Sequence, residues 1–405
     1  LSKKLLITRY QNGILTTLTD EMEAIEFHYE EENREKNILG NIYIGRVKNV
    51  VKNIDAAFIQ FTKDAIGYYS IKENKMPLFL NLKQGKNLLP CLGDLMLVQV
   101  SKENSKTKAP TLTSHINLTG KYVVLTVGIP YLSFSSKITD HVWKRRCREQ
   151  LHDFITERYG CIVRTNAQNQ EFSVIEQEWK GLVSLFEQIL REGEHQMQYT
   201  CLYQAPVSYL SNLRDVYTKD LEGILTDEQE LYEEAKQYLQ MHQPEDIEKL
   251  SFYKDALVPL KSIYNLEKQL MRALTEKVYL KSGGYLVIEP TEALVVIDVN
   301  TGKFMHKKNI EETALFINKE ASKEIAKQLR LRNLSGIIIV DFINMPKKEH
   351  QEELMEVFRQ YLSKDPIKTV LEGISKLNLV ELTRKKVRKP LSEQMGIKKQ
   401  CENRV

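Results

Sequence analysis

The stretch ALVVIDVNTGKF occupies residues 293–304. Five apolar residues run into Asp298, followed by Val299, Asn300 and Thr301-Gly302. Side chains alternate faces along a strand, so Asp298 and Asn300 point the same way. A carboxylate and an amide oxygen on one face, at a strand's end, can hold a hard cation such as Mg²⁺. They can equally open a turn, because Asp, Asn and Gly all favour turns. Taken alone, the stretch favours the turn.

Its neighbours shift that balance. After it comes a helical pattern over 309–332, with Ile310, Ala314, Ile317, Ala321, Ile325 and Leu329 spaced by three and four. The run GIIIVDF, 336–342, then reads as a second strand that also ends on an acid, Asp341. Strand, helix and strand form a βαβ unit, whose crossover makes the two strands parallel. Parallel neighbours end on the same edge, where open α/β sheets place their ligands. Asp298, Asn300 and Asp341 are therefore expected to converge. Two close carboxylates resist ionising together, and a divalent cation removes that conflict. Mg²⁺ uses one or two carboxylates and completes its shell with water and phosphate oxygens. The bland reading keeps Asp341 as a helix cap and Asp298 as a turn former. Two apolar strands each ending in Asp, joined by one helix, favour the metal site. Such a site suits phosphoryl chemistry.

Further out, YLVIEP (285–290) precedes this unit as another strand. PKKEHQEELMEVFRQYL follows it as a helix opened by Pro346 and carrying Leu354, Val357, Phe358 and Tyr361. A strand pair spans about 369–383. At the other end, 5–36 alternates like a small antiparallel sheet. From 38 to 119, four or five short strands punctuated by Gly45, Gly67 and Gly93 suggest a small closed barrel. A strand at 120–130, a helix near 137–157, the strand CIVRT and a long amphipathic helix near 171–192 follow, then a charged helix over 226–245.

The chain has 405 residues, enough for two to four domains of roughly 100–200 residues. At 42% hydrophobic and 28% charged it can build real cores, which excludes wholesale disorder. No apolar run approaches the ~18–20 residues of a membrane span. LSKKLLITRYQNG is too short in apolar residues for a signal peptide, and a cytoplasmic location is expected. No Walker loop is present, which argues against an NTP-driven motor. Cys91, Cys147, Cys161, Cys201 and Cys401 are scattered and odd in number, without CxxC, as reduced thiols would be. Net charge is only +4, but basic residues cluster in WKRRCR (143–148) and in RKKVRKP from Arg384. Such clusters attract phosphate backbones, although most are simply solvated faces.

These residues also resemble a known family. TEALVVIDVNTGKF, the segment NIEETALFINKEASKEIAKQLRLRNLSGIIIVDFINM, and GISKLNLVELTRKK are similar to the catalytic region of the ribonuclease E/G family. Upstream, NILGNIYIGRVKNV and DAAFIQF resemble that family's S1 domain, and CIVRTNA its 5′-end sensor. The resemblance covers nearly the whole chain, in the right order. It implies a multidomain α/β (α+β) fold. An RNase H-like subdomain is expected from 1–36 and 205–278, interrupted by an S1 (OB-fold) domain over 37–119 and a 5′-sensor region over 120–204. A DNase I-like catalytic subdomain is expected over 279–390, then a basic tail over 391–405.

The implied activity is Mg²⁺-dependent endonucleolytic cleavage of single-stranded RNA to 5′-phosphate and 3′-hydroxyl ends. Mn²⁺ is a candidate substitute, 5′-monophosphorylated RNA the favoured substrate, and mRNA decay or rRNA processing the setting. By resemblance, Asp298 and Asp341 are the metal-binding aspartates and Asn300 their companion. Phe58 and Tyr68 correspond to RNA-stacking aromatics, Tyr68 standing where the family usually has Phe. Lys108 corresponds to a lysine at the RNA channel. Alternation alone would more often make Phe58 barrel core. Arg164 and Thr165 correspond to the pair that grips a 5′-monophosphate, with Gly120 and Val124 lining the same pocket. A guanidinium fork fits phosphate oxygens bidentately. The family usually carries a CPxC pair that shares zinc between subunits, followed by a small domain. Here KKQCENRV offers Cys401 but places Arg404 where the second cysteine is expected, which argues against zinc-linked pairing. A homodimer of another kind stays open. So does a second reading, an S1-type RNA-binding protein that does not cleave.

Overall fold

Three alternating runs near the N-terminus become β1 (Lys3–Tyr10), β2 (Gly13–Asp20) and β3 (Glu23–Glu31), an antiparallel meander. The structure is a computed structural model that describes residues 3–32, 38–80, 89–102, 109–216, 221–255, 257–302 and 310–397. The chain divides into two units: one holds 1–32, 220–237 and 246–405, the other 33–219 and 238–245.

The second unit begins with β4 (Ile42–Val51), β5 (Ala56–Gln60), β6 (Ile66–Ser70), β7 (Leu78–Phe79), β8 (Leu95–Lys102) and β9 (Thr111–Thr113). The order β4-β5-β6-β9-β8, with β8 pairing back onto β4, closes a five-stranded barrel of the kind an S1 or OB fold requires. Closure leaves these five strands without a free edge. Val47, Ala57, Ile59, Tyr69, Val98 and Leu112 fill the interior. Next come β10 (Asn117–Thr119), β11 (Val123–Val127), β12 (Leu132–Phe134), α1 (His141–Gln150), β13 (Tyr159–Val163) and α2 (Phe172–His195). The four strands form one sheet in the order β10-β11-β13-β12. Ile175, Trp179, Phe186 and Ile189 make the buried stripe of α2. β14 (Cys201–Tyr203) pairs with β4, and α3 (Ser208–Asp215) closes this stretch.

Next come β15 (Leu221–Thr226), α4 (Gln229–His242), β16 (Leu250–Phe252), α5 (Leu260–Ile263) and α6 (Leu266–Leu274), all in the first unit except the end of α4 from residue 238. β15 runs parallel to β1 and completes a five-stranded sheet, β16-β15-β1-β2-β3. The remaining elements are β17 (Lys277–Tyr279), β18 (Tyr285–Pro290), β19 (Leu294–Asn300), α7 (Ile310–Leu331), β20 (Gly336–Asp341), α8 (Lys348–Leu362), β21 (Thr369–Ile374), β22 (Val380–Arg384) and α9 (Leu391–Gln394). They build a six-stranded sheet, β17-β18-β19-β20-β22-β21, in which β19 and β20 are parallel as the βαβ reading requires.

Helix α7 buries Ala314, Ile317, Ala321, Ile325 and Leu329 in one cluster with Val295, Ile297, Val299, Ile338 and Val340 from the sheet. Each large apolar side chain so buried contributes about 1.5–3 kcal/mol. The opposite sheet face stays open, with Asp298, Ile337 and Asp341 exposed. Among the described residues no helix is long and apolar enough to cross a membrane.

Candidate active site

Strand alternation sorts the residues of β19. Val295, Ile297 and Val299 are buried, whereas Asp298 is exposed and Asn300 half-buried on the other face. In the parallel ladder Ile297 pairs with Val340, and Asp298 pairs with Asp341. The two acids are thus direct neighbours on the open face, at the carboxyl ends of adjacent parallel strands. The amide of Asn300 donates from Nδ2 to Asp298 Oδ2 at 2.7 Å. Among the described residues, no hydrogen bond or ion pair reaches the Asp341 carboxylate.

Asp298 and Asn300 lie within β19, and left-handed backbone comes only at Gly302. Gly302 has φ +61°, and a Cβ there would lie 2.2 Å from the Gly283 carbonyl oxygen. Only glycine fits so close an approach in a left-handed conformation. The opposing turn is tethered in turn, since the Lys281 N–H donates to Glu320 at 2.8 Å.

One positioning residue escaped the sequence reading. Asn318 is fully buried in α7; its Nδ2 donates to the Ile343 carbonyl at 2.8 Å, and the Ile343 N–H donates back to its Oδ1 at 3.0 Å. This pair fixes the backbone two residues beyond Asp341. The available signal was an amide inside the apolar stripe between Ala314 and Ala321.

The donor set fits a hard divalent cation. Two carboxylates and an amide share one spot, and among the described residues no group of three or more His, Cys, Asp or Glu could hold a metal. A lean ligand set suits Mg²⁺, which keeps several water or phosphate positions. Zinc prefers a fuller set of nitrogen and sulfur ligands. Cys401 and Arg404 lie outside the described residues. The buried thiols of Cys147 and Cys161 are pushed up to about 12 by burial, so they are poor ligands and nucleophiles.

In the second unit, the chain brings Gly120, Arg164 and Thr165 to one end of the β10–β13 sheet. Arg164 Nη1 donates to the Gly120 carbonyl at 2.6 Å and Nη2 to Asp215 at 2.7 Å. Thr165 Oγ1 donates to Ser135 Oγ at 3.0 Å. Val124 lies on β11, opposite Ile162 of β13. Burial pushes the Asp215 carboxyl up, but Arg214 and Arg164 outweigh it and hold the group below its ordinary value. Glu178 accepts the N–H groups of Lys121, Tyr122 and Val123. Burial raises its carboxyl despite these three donors. A Cβ on Gly120 would sit 2.4 Å from that carboxylate.

On the barrel, Phe58 and Tyr68 are paired across β5 and β6, with ring centroids 6.2 Å apart at 73°. Both are half-buried and point outward, while Ala57, Ile59 and Tyr69 take the core positions. Phe58 is therefore not barrel core, the position alternation alone made commoner. Exposed Arg46 and Lys48 stand on the adjoining β4. Lys108 lies outside the described residues.

Comparison with known proteins adds a consistent result. Residues 117–387 match the ribonuclease E/G family. Ribonuclease G of Escherichia coli strain K12 is 32% identical over 378 residues, covering 90% of this chain and 76% of that protein. Ribonuclease G of Haemophilus influenzae is 34% identical over 376 residues, with 90% and 76% covered. Ribonuclease E of a Nostoc species is 34% identical over 371 residues, covering 88% of this chain and 52% of that protein.

Proposed function

Because the chain belongs to the ribonuclease E/G family, we propose that it is a Mg²⁺-dependent endoribonuclease that cuts single-stranded RNA to 5′-phosphate and 3′-hydroxyl ends. The observation that carries this reading is the pairing of Asp298 with Asp341 at the ends of parallel strands, with Asn300 beside them. Mg²⁺ held there, or Mn²⁺ in its place, supplies an activated water and stabilises charge on the phosphate. The two aspartates hold the cation. Asn300 orients Asp298 and offers an amide to a water or phosphate without adding negative charge. The Phe58–Tyr68 pair provides a stacking platform, worth about 1–3 kcal/mol per base and indifferent to sequence. Arg164 and Thr165, with Gly120 and Val124, form the proposed 5′-monophosphate grip, which favours monophosphorylated RNA.

In this reading 1–36 and 205–278 are the RNase H-like subdomain, 37–119 the S1 domain, 120–204 the sensor and 279–390 the catalytic subdomain. The sheet that joins β1 to β15 supports it. Two details differ: α3 and residues 238–245, both within 205–278, group with the barrel and sensor. A cytoplasmic homodimer in mRNA decay or rRNA processing completes the proposal.

The test uses a single-stranded RNA of about twenty nucleotides, with a 5′-monophosphate or a 5′-hydroxyl, in Mg²⁺ or EDTA. Internal cuts are expected in Mg²⁺ only, faster on the monophosphate. Asp298→Asn and Asp341→Asn are expected to abolish cutting while folding and RNA binding persist. Full cleavage by either variant sinks the assignment. Tight binding with no cutting under any condition makes the chain an S1-type RNA-binding protein instead.

A further inference from the structure

The basic run WKRRCR has no role in the site just described. It lies on α1, which Asp140 caps by accepting the Val142 and Trp143 N–H groups at 2.9 Å each. Cys147 is fully buried and Trp143 half-buried, so these two residues seat the helix. Trp143 meets Phe134 edge-on at 6.4 Å and stacks on Phe172 at 6.4 Å. The remaining face is cationic. Arg145, Arg146 and Arg148 are exposed, and Lys144 is half-buried. Lys144 Nζ and the Arg148 guanidinium stand 5.9 and 5.1 Å from the centre of the Phe134 ring.

Two features separate this face from an ordinary solvated one. Among the described residues, no carboxylate pairs with Lys144, Arg145, Arg146 or Arg148. Lys144 and Arg148 are like charges four apart, an arrangement that costs an isolated helix stability. The helix holds four cations against one acid, Glu149, a local net charge of +3. Second, its place is specific. Phe134 ends β12, and the next residue, Ser135, donates its N–H to the Val163 carbonyl at 2.8 Å and accepts from Thr165. The cationic face thus adjoins the end of the sheet that carries Arg164 and Thr165.

We infer that α1 is a docking surface for the phosphate backbone of single-stranded RNA, with Phe134 holding Lys144 and Arg148 outward by cation–π contact and Arg145 and Arg146 extending the track. This rests on the RNA-cleaving reading above, but not on the 5′-phosphate grip. An uncompensated cationic face gains from an anionic polymer by releasing its counterions. Backbone contact of this kind reads no sequence, in keeping with the stacking platform on the barrel.

The test is fluorescence anisotropy with a single-stranded RNA of about twenty nucleotides bearing a 5′-hydroxyl, so that no 5′-phosphate is present. The full chain is titrated in EDTA over a range of salt. Each phosphate neutralised on a single strand adds about 0.7 to the slope of log K against log salt. Arg145→Gln/Arg146→Gln/Arg148→Gln is therefore expected to lower that slope by about 2 and to weaken binding at low salt. Arg145→Glu/Arg146→Glu leaves the Phe134 contacts untouched and is expected to weaken binding further, with an unchanged melting temperature. Wild-type binding matched in affinity and slope by both variants overturns this inference and leaves the nuclease reading standing. Absence of RNA binding by the wild type overturns both. Variants that lose only binding to polyglutamate, with RNA unaffected, assign the face to an acidic protein and overturn it as well.

Discussion

Arg384 shows how one residue can mislead. It opens the basic run RKKVRKP, yet it is only 2% exposed. Its Nε and Nη2 donate to Asp365 at 2.7 and 3.2 Å, and its Nη1 donates to Asn333 Oδ1 at 3.1 Å and to the Leu334 carbonyl at 2.8 Å. These contacts lock the end of β22 to the turn that launches β20, the strand carrying Asp341. Arg384 is a structural cation, while Lys385, Lys386 and Lys389 behind it are exposed. Removing one member of a buried pair strands the other, at a cost of about 3–5 kcal/mol. Arg384→Met is therefore expected to lower unfolding stability by about that much. Arg384→Met/Asp365→Leu is expected to recover a large part of it, because no buried charge then remains unpaired. Urea denaturation of both variants measures this. A double variant as unstable as the single one would show that the pair's hydrogen bonds, and not its charge balance, dominate.

Helix α7 belongs to both sheets of its unit. One stripe faces the six-stranded sheet, while Arg330 and Lys327 reach Glu26 and Glu23 of the N-terminal meander. Burial pushes the Glu26 carboxyl up, but hydrogen bonding and charge from His28 and Arg330 outweigh it and hold the group at about 2, against an ordinary 4.5. A carboxyl depressed in the folded state adds stability above its unfolded pKa, and this is lost as pH falls through the folded one. The window is thus 4.5 down to about 2, and the full effect is on the order of 3 kcal/mol. The stability gap between wild type and Glu26→Gln is expected to narrow between pH 5.5 and pH 3. A gap that stays constant over that range would remove Glu26 from the account.

What the sequence made legible follows from the same elements. The βαβ unit could be read because its periodicities are local: three and four along α7, two along β19. The register of Asp298 against Asp341 then followed from topology. The Glu26–Arg330 contact could not be read, because 304 residues separate its partners. Asn318 was hidden for another reason, since an amide in an apolar stripe announces a partner without naming it. Phe58 needed the phase of its strand, which Ala57 and Ile59, both small or aliphatic, left ambiguous. The helix expected over 137–157 is shorter, because α1 starts after the Asp140 cap and gives way to a 3₁₀ turn at His152–Phe154.

At the scale of the molecule, the unit that carries the aspartates is assembled from three separate segments of chain. β1 occupies the centre of its five-stranded sheet, between β15 and β2. Behind that sheet, Leu15, Phe27 and Tyr29 share a cluster with Leu270 of α6, Leu331 of α7 and Leu391 of α9. A fragment of residues 257–397 would keep the six-stranded sheet, α7, Asp298 and Asp341. It would lose the partners of Leu270, Leu331 and Leu391, and the carboxylates that meet Arg330 and Lys327. Three large side chains at about 1.5–3 kcal/mol each are comparable to the whole stability of a domain, about 5–15 kcal/mol. The fragment is therefore expected to unfold without a sharp urea transition, and supplying residues 1–32 alone should not restore one, since β1 would still lack β15. Circular dichroism through a urea titration is the measurement. A fragment that unfolds cooperatively at the full chain's midpoint would mean that the N-terminal meander is an accessory to the six-stranded sheet and not its second wall.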